Sequence, residues 1–134
     1  MDDNQRIAAF LDGASFAVVG ASRDRSKYGN KVLRAYLQHD RSVFAVNPSA
    51  DEIEGVQSYA SLASIPVSVH GVSIITPPAV TSQVVDEAIA LGIRHLWMQP
   101  GAEDAHAVAR AEAAGINVIA NGPCVLVVMD FREA

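Results

Sequence analysis

Five short apolar segments alternate with stretches of helical spacing along this chain, and that alternation constrains the fold more than any other feature. Residues 5–12 (QRIAAFLD) read as a helix ended by Gly13, and Ser15 to Gly20 reads as a continuous apolar strand of the kind buried on both faces. From Tyr28, residues Val32, Leu33, Tyr36 and Leu37 recur at helical spacing until Asp40-Arg41, before a second strand, Ser42 to Val46, stopped by Asn47-Pro48. Residues 49–66 carry no long period, so a loop with at most one short helix is expected there. A third strand, Val72 to Ile75, runs into Thr76-Pro77-Pro78, where proline ends pairing and permits a helix start. A helix from about Val80 to Leu91 then ends at Gly92. Arg94 to Met98 follows as a fourth strand, Glu103 to Ala114 as a helix ended by Gly115, and Ile116 to Ala120 as a fifth strand.

Such alternation requires parallel strands and right-handed crossovers. The expectation is an α/β fold: one doubly wound domain over residues 1–134, with a five-stranded parallel sheet in the order 3-2-1-4-5 and helices on both faces. Composition agrees, because 22 alanines and 17 valines suit thin helices packed closely on a β-branched sheet. At 134 residues one core is the limit, leaving no room for an enzyme that closes a cleft between two domains. A net charge of −5 argues against a nucleic-acid or anionic-membrane surface. The single cysteine excludes an internal disulfide, no apolar run approaches a membrane span, and the acidic start Met1-Asp2-Asp3 is unlike a signal peptide. A cytoplasmic location is expected.

In doubly wound sheets ligands bind beyond the carboxyl ends of the strands, so the functional search reduces to five tips. The first, Gly20 to Asn30, combines a turn glycine with the start of a helix, where unsatisfied N–H groups can hold a phosphate. Arg23, Arg25, Lys27 and Lys31 place four of the ten basic residues within nine positions of this stretch. This is not the G-x-G-x-x-G dinucleotide fingerprint: Ser22 stands at the second glycine position and the next glycine is Gly29, which implies a longer loop. Nor does the second strand end on the carboxylate that an NAD ribose wants, since it closes Val46-Asn47-Pro48. Asn47 serves equally as a polar contact or as a strand stop. At the third tip, Thr76, Pro77 and Pro78 with Val80 and Val84 offer either a rigid apolar shelf for a flat base or a helix start with ordinary core packing. At the fourth, Gln99 and Gly101 lie past the strand end, while Trp97 reads as core. The fifth, Asn121 to Cys124, ends in a cysteine better read as a small hydrophobe than as a nucleophile. His39, His70, His95 and His106 are scattered without metal-ligand spacing, and neither hydrolytic nor phosphoryl-transfer machinery is visible, so no catalytic or metal residue is assigned.

Taken together, G-A-S-R-D-x-S-K-Y-G-N-K-V, V-N-P, T-P-P, W-x-Q-x-G and a late cysteine resemble the CoA-binding domain proteins. These are free-standing counterparts of the amino-terminal domain of succinyl-CoA synthetase α subunits and ADP-forming acyl-CoA synthetases. The resemblance implies a Rossmann-like domain holding coenzyme A or acyl-CoA without catalysis. It places Gly20, Ala21, Ser22, Lys27 and Tyr28 at the phosphates, Val46, Asn47 and Pro48 on the ribose and pantetheine side, Thr76, Pro77, Pro78, Val80 and Val84 on the adenine side, and Gln99 with Gly101 at the far rim. Arg23 and Arg25 fit the extra phosphate of CoA. The synthetases' phospho-histidine domain has no counterpart here, so ligase activity is not implied. The alternatives are an NAD(P)-binding regulatory module and the CoA-binding subunit of a split acyl-CoA ligase. The implied partners are a small CoA ligand and either a second copy of the chain or a ligase subunit, with no nucleic acid and no membrane.

Overall fold

A computed structural model describes residues 1–133. Seven strands form one sheet: β1 (Ser15–Val19), β2 (Ser42–Val46), β3 (Glu52–Ile53), β4 (Val56–Tyr59), β5 (Gly71–Ile74), β6 (His95–Met98) and β7 (Asn117–Ile119), in the order β3-β4-β2-β1-β5-β6-β7. All neighbours are parallel except β3 and β4, which form an antiparallel hairpin. Glu54 and Gly55 link them, both with positive φ as a two-residue hairpin of the I′ type requires.

Two expectations are corrected here: the sheet has seven strands rather than five, and its order is not 3-2-1-4-5. The expected third strand does not lie outside β2. It is β5, seated directly against β1 in the register Phe16↔Gly71 to Val19↔Ile74. Burial explains the choice, because all four residues of β5 are buried and need a sheet neighbour on each side. β4 takes the place beyond β2, next to the edge strand β3, where its exposed Gln57 is tolerated. The stretch expected to be a loop thus holds β3, β4 and a 3₁₀ turn, Leu62–Ser64.

Helices cover both faces, as expected. On one, α1 (Asp3–Leu11), α2 (Tyr28–Gln38) and a short α5 (Val125–Val128), not foreseen from sequence, pack Phe10, Leu33, Tyr36 and Val125 against Phe16, Val18 and Trp97. On the other, α3 (Pro78–Leu91) and α4 (Ala105–Ala113) set Val85, Ala88, Ala107 and Ala111 against Ala17, Val72, Leu96 and Met98. Alternate residues of one strand serve opposite cores, as the pleat dictates. The alanines let the helices approach closely. Tyr36 and Ser73, both fully buried, share a hydroxyl hydrogen bond of 2.6 Å across α2 and the sheet, and burial pushes the Tyr36 phenol well above its ordinary value.

Candidate ligand-binding site at the strand tips

The chain leaves β1 at Gly20, whose φ of +93° and contact with β5 admit no side chain: a Cβ there would stand 2.1 Å from the Ile75 carbonyl oxygen. Gly29, the second residue of α2, is equally constrained, its Cβ position lying 1.9 Å from the Gly20 carbonyl oxygen. The two glycines therefore bring the first turn of α2 directly over the end of β1. Lys27 caps this helix with no side-chain hydrogen bond; its carbonyl takes the Asn30 and Lys31 N–H groups, and the Tyr28 and Gly29 N–H groups receive no cap from its side chain.

The loop between them is held from below. Fully buried Asn30 donates from Nδ2 to the Ser22 carbonyl (2.8 Å) and to Glu54 (3.1 Å), while its Oδ1 accepts from Arg34 Nε (2.6 Å). Arg34 also donates to the Arg25 carbonyl and to Glu133, whose carboxyl it holds below the usual range. Ser26 does the same for Asp24 through its hydroxyl and backbone N–H. The four loop cations consequently differ in freedom. Arg23 Nε donates to the Glu52 carbonyl (2.9 Å), Arg25 lies 3.8 Å from Glu54, and Lys31 lies 3.5 Å from Glu133. Lys27 is exposed and makes no ion pair among the described residues.

Two cavities open at the tips, one on each side of Thr76, which lines both. The first, about 480 Å³, is bounded by Tyr28, Ile75, Thr76, Pro77, Gln99, Pro100, Gly101, Ala102 and Cys124. The second, about 520 Å³, takes in Gly20, Ala21, Val46, Asn47, Pro48, Val80 and Val84, with Ala60, Ser61, Gln83 and Glu87 at its far side. They flank the point where the order of parallel strands reverses, between β1 and β5, where such sheets form a crevice.

Of the residues singled out from sequence, the two cavities collect Gly20, Ala21, Tyr28, Val46, Asn47, Pro48, Thr76, Pro77, Val80, Val84, Gln99 and Gly101. Ser22, Arg23, Arg25, Lys27 and Pro78 line neither, the first four sitting on the loop above and Pro78 opening α3. The two amides are braces. Asn47 donates to the Ala21 carbonyl (2.9 Å) and accepts from the Ser49 N–H (2.8 Å); buried Gln99 donates to the Cys124 sulfur (2.9 Å) and accepts from the Val125 N–H (3.0 Å). Trp97 is fully buried, its indole N–H on the Pro123 carbonyl. Sequence reading passed over Gln83 and Glu87, although Val80, Gln83, Val84 and Glu87 fall on one helical stripe and that spacing would have found them.

Comparison with known proteins bears on the family of the chain. Over residues 14–130 the chain matches the model of the CoA binding domain. It is 35% identical over 71 residues to an ADP-forming acetate–CoA ligase I of Archaeoglobus fulgidus, covering 53% of this chain and 10% of that protein. It is 30% identical over 86 residues to the α subunit of an ADP-forming acetate–CoA ligase II of Pyrococcus furiosus, covering 63% of this chain and 19% of that one. The chain thus spans only a tenth to a fifth of these ligases. Among solved structures, a hypothetical protein of Pyrococcus horikoshii superposes with a TM-score of 0.90 at 28% identity, covering 97% of this chain and 91% of that chain. A dinucleotide-forming acetyl-coenzyme A synthetase of Candidatus Korarchaeum cryptofilum superposes with a TM-score of 0.69 at 30% identity, covering 78% of this chain and 25% of that chain. With a family match running from just before β1 to the end of α5, the chain belongs to the CoA binding domain family.

Proposed function

We propose that this chain, as a single cytoplasmic domain over residues 1–134, binds coenzyme A or acyl-CoA along its strand tips without itself catalysing a reaction. The observation that carries the reading is the meeting of two cavities at Thr76, directly beside Gly20 and the uncapped start of α2, in a member of the CoA binding domain family. A ligand with a charged middle and two less charged ends suits that layout. Its pyrophosphate would sit by Gly20, Ala21 and Ser22 under the N–H groups of Tyr28 and Gly29, with Lys27 as the mobile counter-charge. Val46, Asn47 and Pro48 would flank the ribose, Thr76, Pro77 and Pro78 with Val80 and Val84 the base, and Gln99 with Gly101 the far rim. Arg23 and Arg25 would meet a further phosphate from the loop side. Asn47 and Gln99 would contribute mainly by fixing backbone around the ligand, since their amides are already engaged.

Calorimetric titration tests this. Heat on addition of CoA at up to millimolar concentration is the expected result, and silence toward CoA with a clear response to NAD or NADP would overturn it. The ligase relatives favour a second reading, in which the chain is the CoA-binding subunit of a split acyl-CoA ligase, because one of them is itself an α subunit. That reading requires a separate protein bearing the histidine domain, and affinity isolation from the native host that recovers none would count against it.

A further inference from the structure

We infer that Glu87 is a specificity-determining residue of the second cavity, selecting a purine that carries a 6-amino group over its 6-oxo counterpart. The inference rests on the CoA reading and names the end of the ligand that this cavity takes. Among the described residues no lysine or arginine lines the cavity, and Glu87 is the only charged one that does. Beside Glu87, away from Gly20 and Ala21, a phosphate would therefore meet repulsion without a counter-charge, whereas a base would find the apolar flank of Val80 and Val84.

The carboxylate is oriented. One oxygen of Glu87 accepts from the Leu62 N–H at 3.1 Å, which fixes the side chain between α3 and the 3₁₀ turn and leaves the second oxygen for an occupant. A carboxylate only accepts hydrogen bonds, so the occupant must present a donor at that point. The exocyclic amine of adenine does so. The carbonyl of hypoxanthine in the same pose would set one acceptor against another, and its N1–H would reach the carboxylate only if the ring shifted in the cavity. Gln83, one turn before Glu87 on the same face of α3, supplies a neutral amide beside it that can adapt to the ring nitrogens.

Adenosine and inosine 5′-diphosphates test the assignment, because neither has a pantetheine arm and their affinity ratio reports on the base end alone. The wild-type protein should favour the adenine ligand by about tenfold. Glu87→Gln keeps an acceptor for the Leu62 N–H and offers an amide N–H to a 6-oxo group, so the ratio should fall to near parity or invert. Glu87→Ala, with thermal unfolding confirming that it folds, should also lose the preference. Equal affinities in the wild-type protein, an unchanged ratio in Glu87→Gln, or no binding of the adenine ligand at all would overturn the inference. If CoA itself fails to bind while the base preference is present and depends on Glu87, the CoA reading falls and the role of Glu87 stands.

Discussion

The two ends of the sheet are built from the same strands and dispose of their polar groups in opposite ways. At the amino ends, side chains are consumed in closing α1 onto the sheet: Arg41 donates to the Leu11 carbonyl, His70 bonds the Ala9 carbonyl, and Asn117 donates to the Arg6 carbonyl. His70 and His95 stack there with ring centroids 4.2 Å apart. At the carboxyl ends the backbone is held by glycines and by amide braces, and among the described residues the Lys27 side chain makes no ion pair and the Tyr28 and Gly29 N–H groups of α2 have no side-chain cap. A helix that docks by its last turn brings unsatisfied carbonyls, which here take Arg41 and His70 at Leu11 and Ala9; one that docks by its first turn brings N–H groups, which can wait for an anion. The difference in chemistry between the ends thus follows from chain direction.

Substitutions can break this contrast. Gly20→Ala should have the largest effect, because its Cβ would meet the Ile75 carbonyl at a positive φ; a loss of about 3 kcal/mol in urea unfolding is expected, together with loss of CoA binding. Next, Lys27→Ala should weaken CoA binding about tenfold at low ionic strength while leaving the unfolding midpoint in place, and the deficit should shrink as salt is raised. Arg23→Ala should cost less, since Arg23 is already held on the Glu52 carbonyl. At the opposite end Arg41→Ala should do the reverse, lowering stability by about 1 kcal/mol through the orphaned Leu11 carbonyl with CoA affinity intact.

The smallest effect concerns pH. Burial, then the charges of His70 and Arg94, hold His95 below its ordinary value of 6.5, so the folded protein binds a proton there less readily than the unfolded chain. Stability should therefore be unaffected by this group above pH 6.5 and decline as pH falls below it. His95→Gln should flatten that decline in a series of thermal unfolding curves.

How much of this could be read from the chain differs between elements for physical reasons. β1, β2, β5, β6 and β7 announce themselves because buried parallel strands are nearly continuous apolar runs, and Gly20 and Gly92 mark their exits and helix ends. β3 and β4 did not, being two and four residues long with Glu52, Gln57 and Ser58 among them, and their omission displaced the neighbouring strand in the expected order. The apolar and glycine positions of the site were legible at the tips. The division of labour among the cations was not, since it depends on Glu52, Glu54 and Glu133, which reach the loop from distant parts of the sequence. His70 and His95, scattered along the chain, were likewise joined only by the pairing of β5 with β6.

Thr76 stands as the shared wall of two cavities of similar size, and for a ligand of the proposed kind this makes the tip surface bivalent. Each half of such a ligand alone would bind weakly, while their covalent connection would turn the second contact into an intramolecular event and multiply the two affinities through effective concentration. Discrimination would then rest as much on the distance between a ligand's ends as on the chemistry of either.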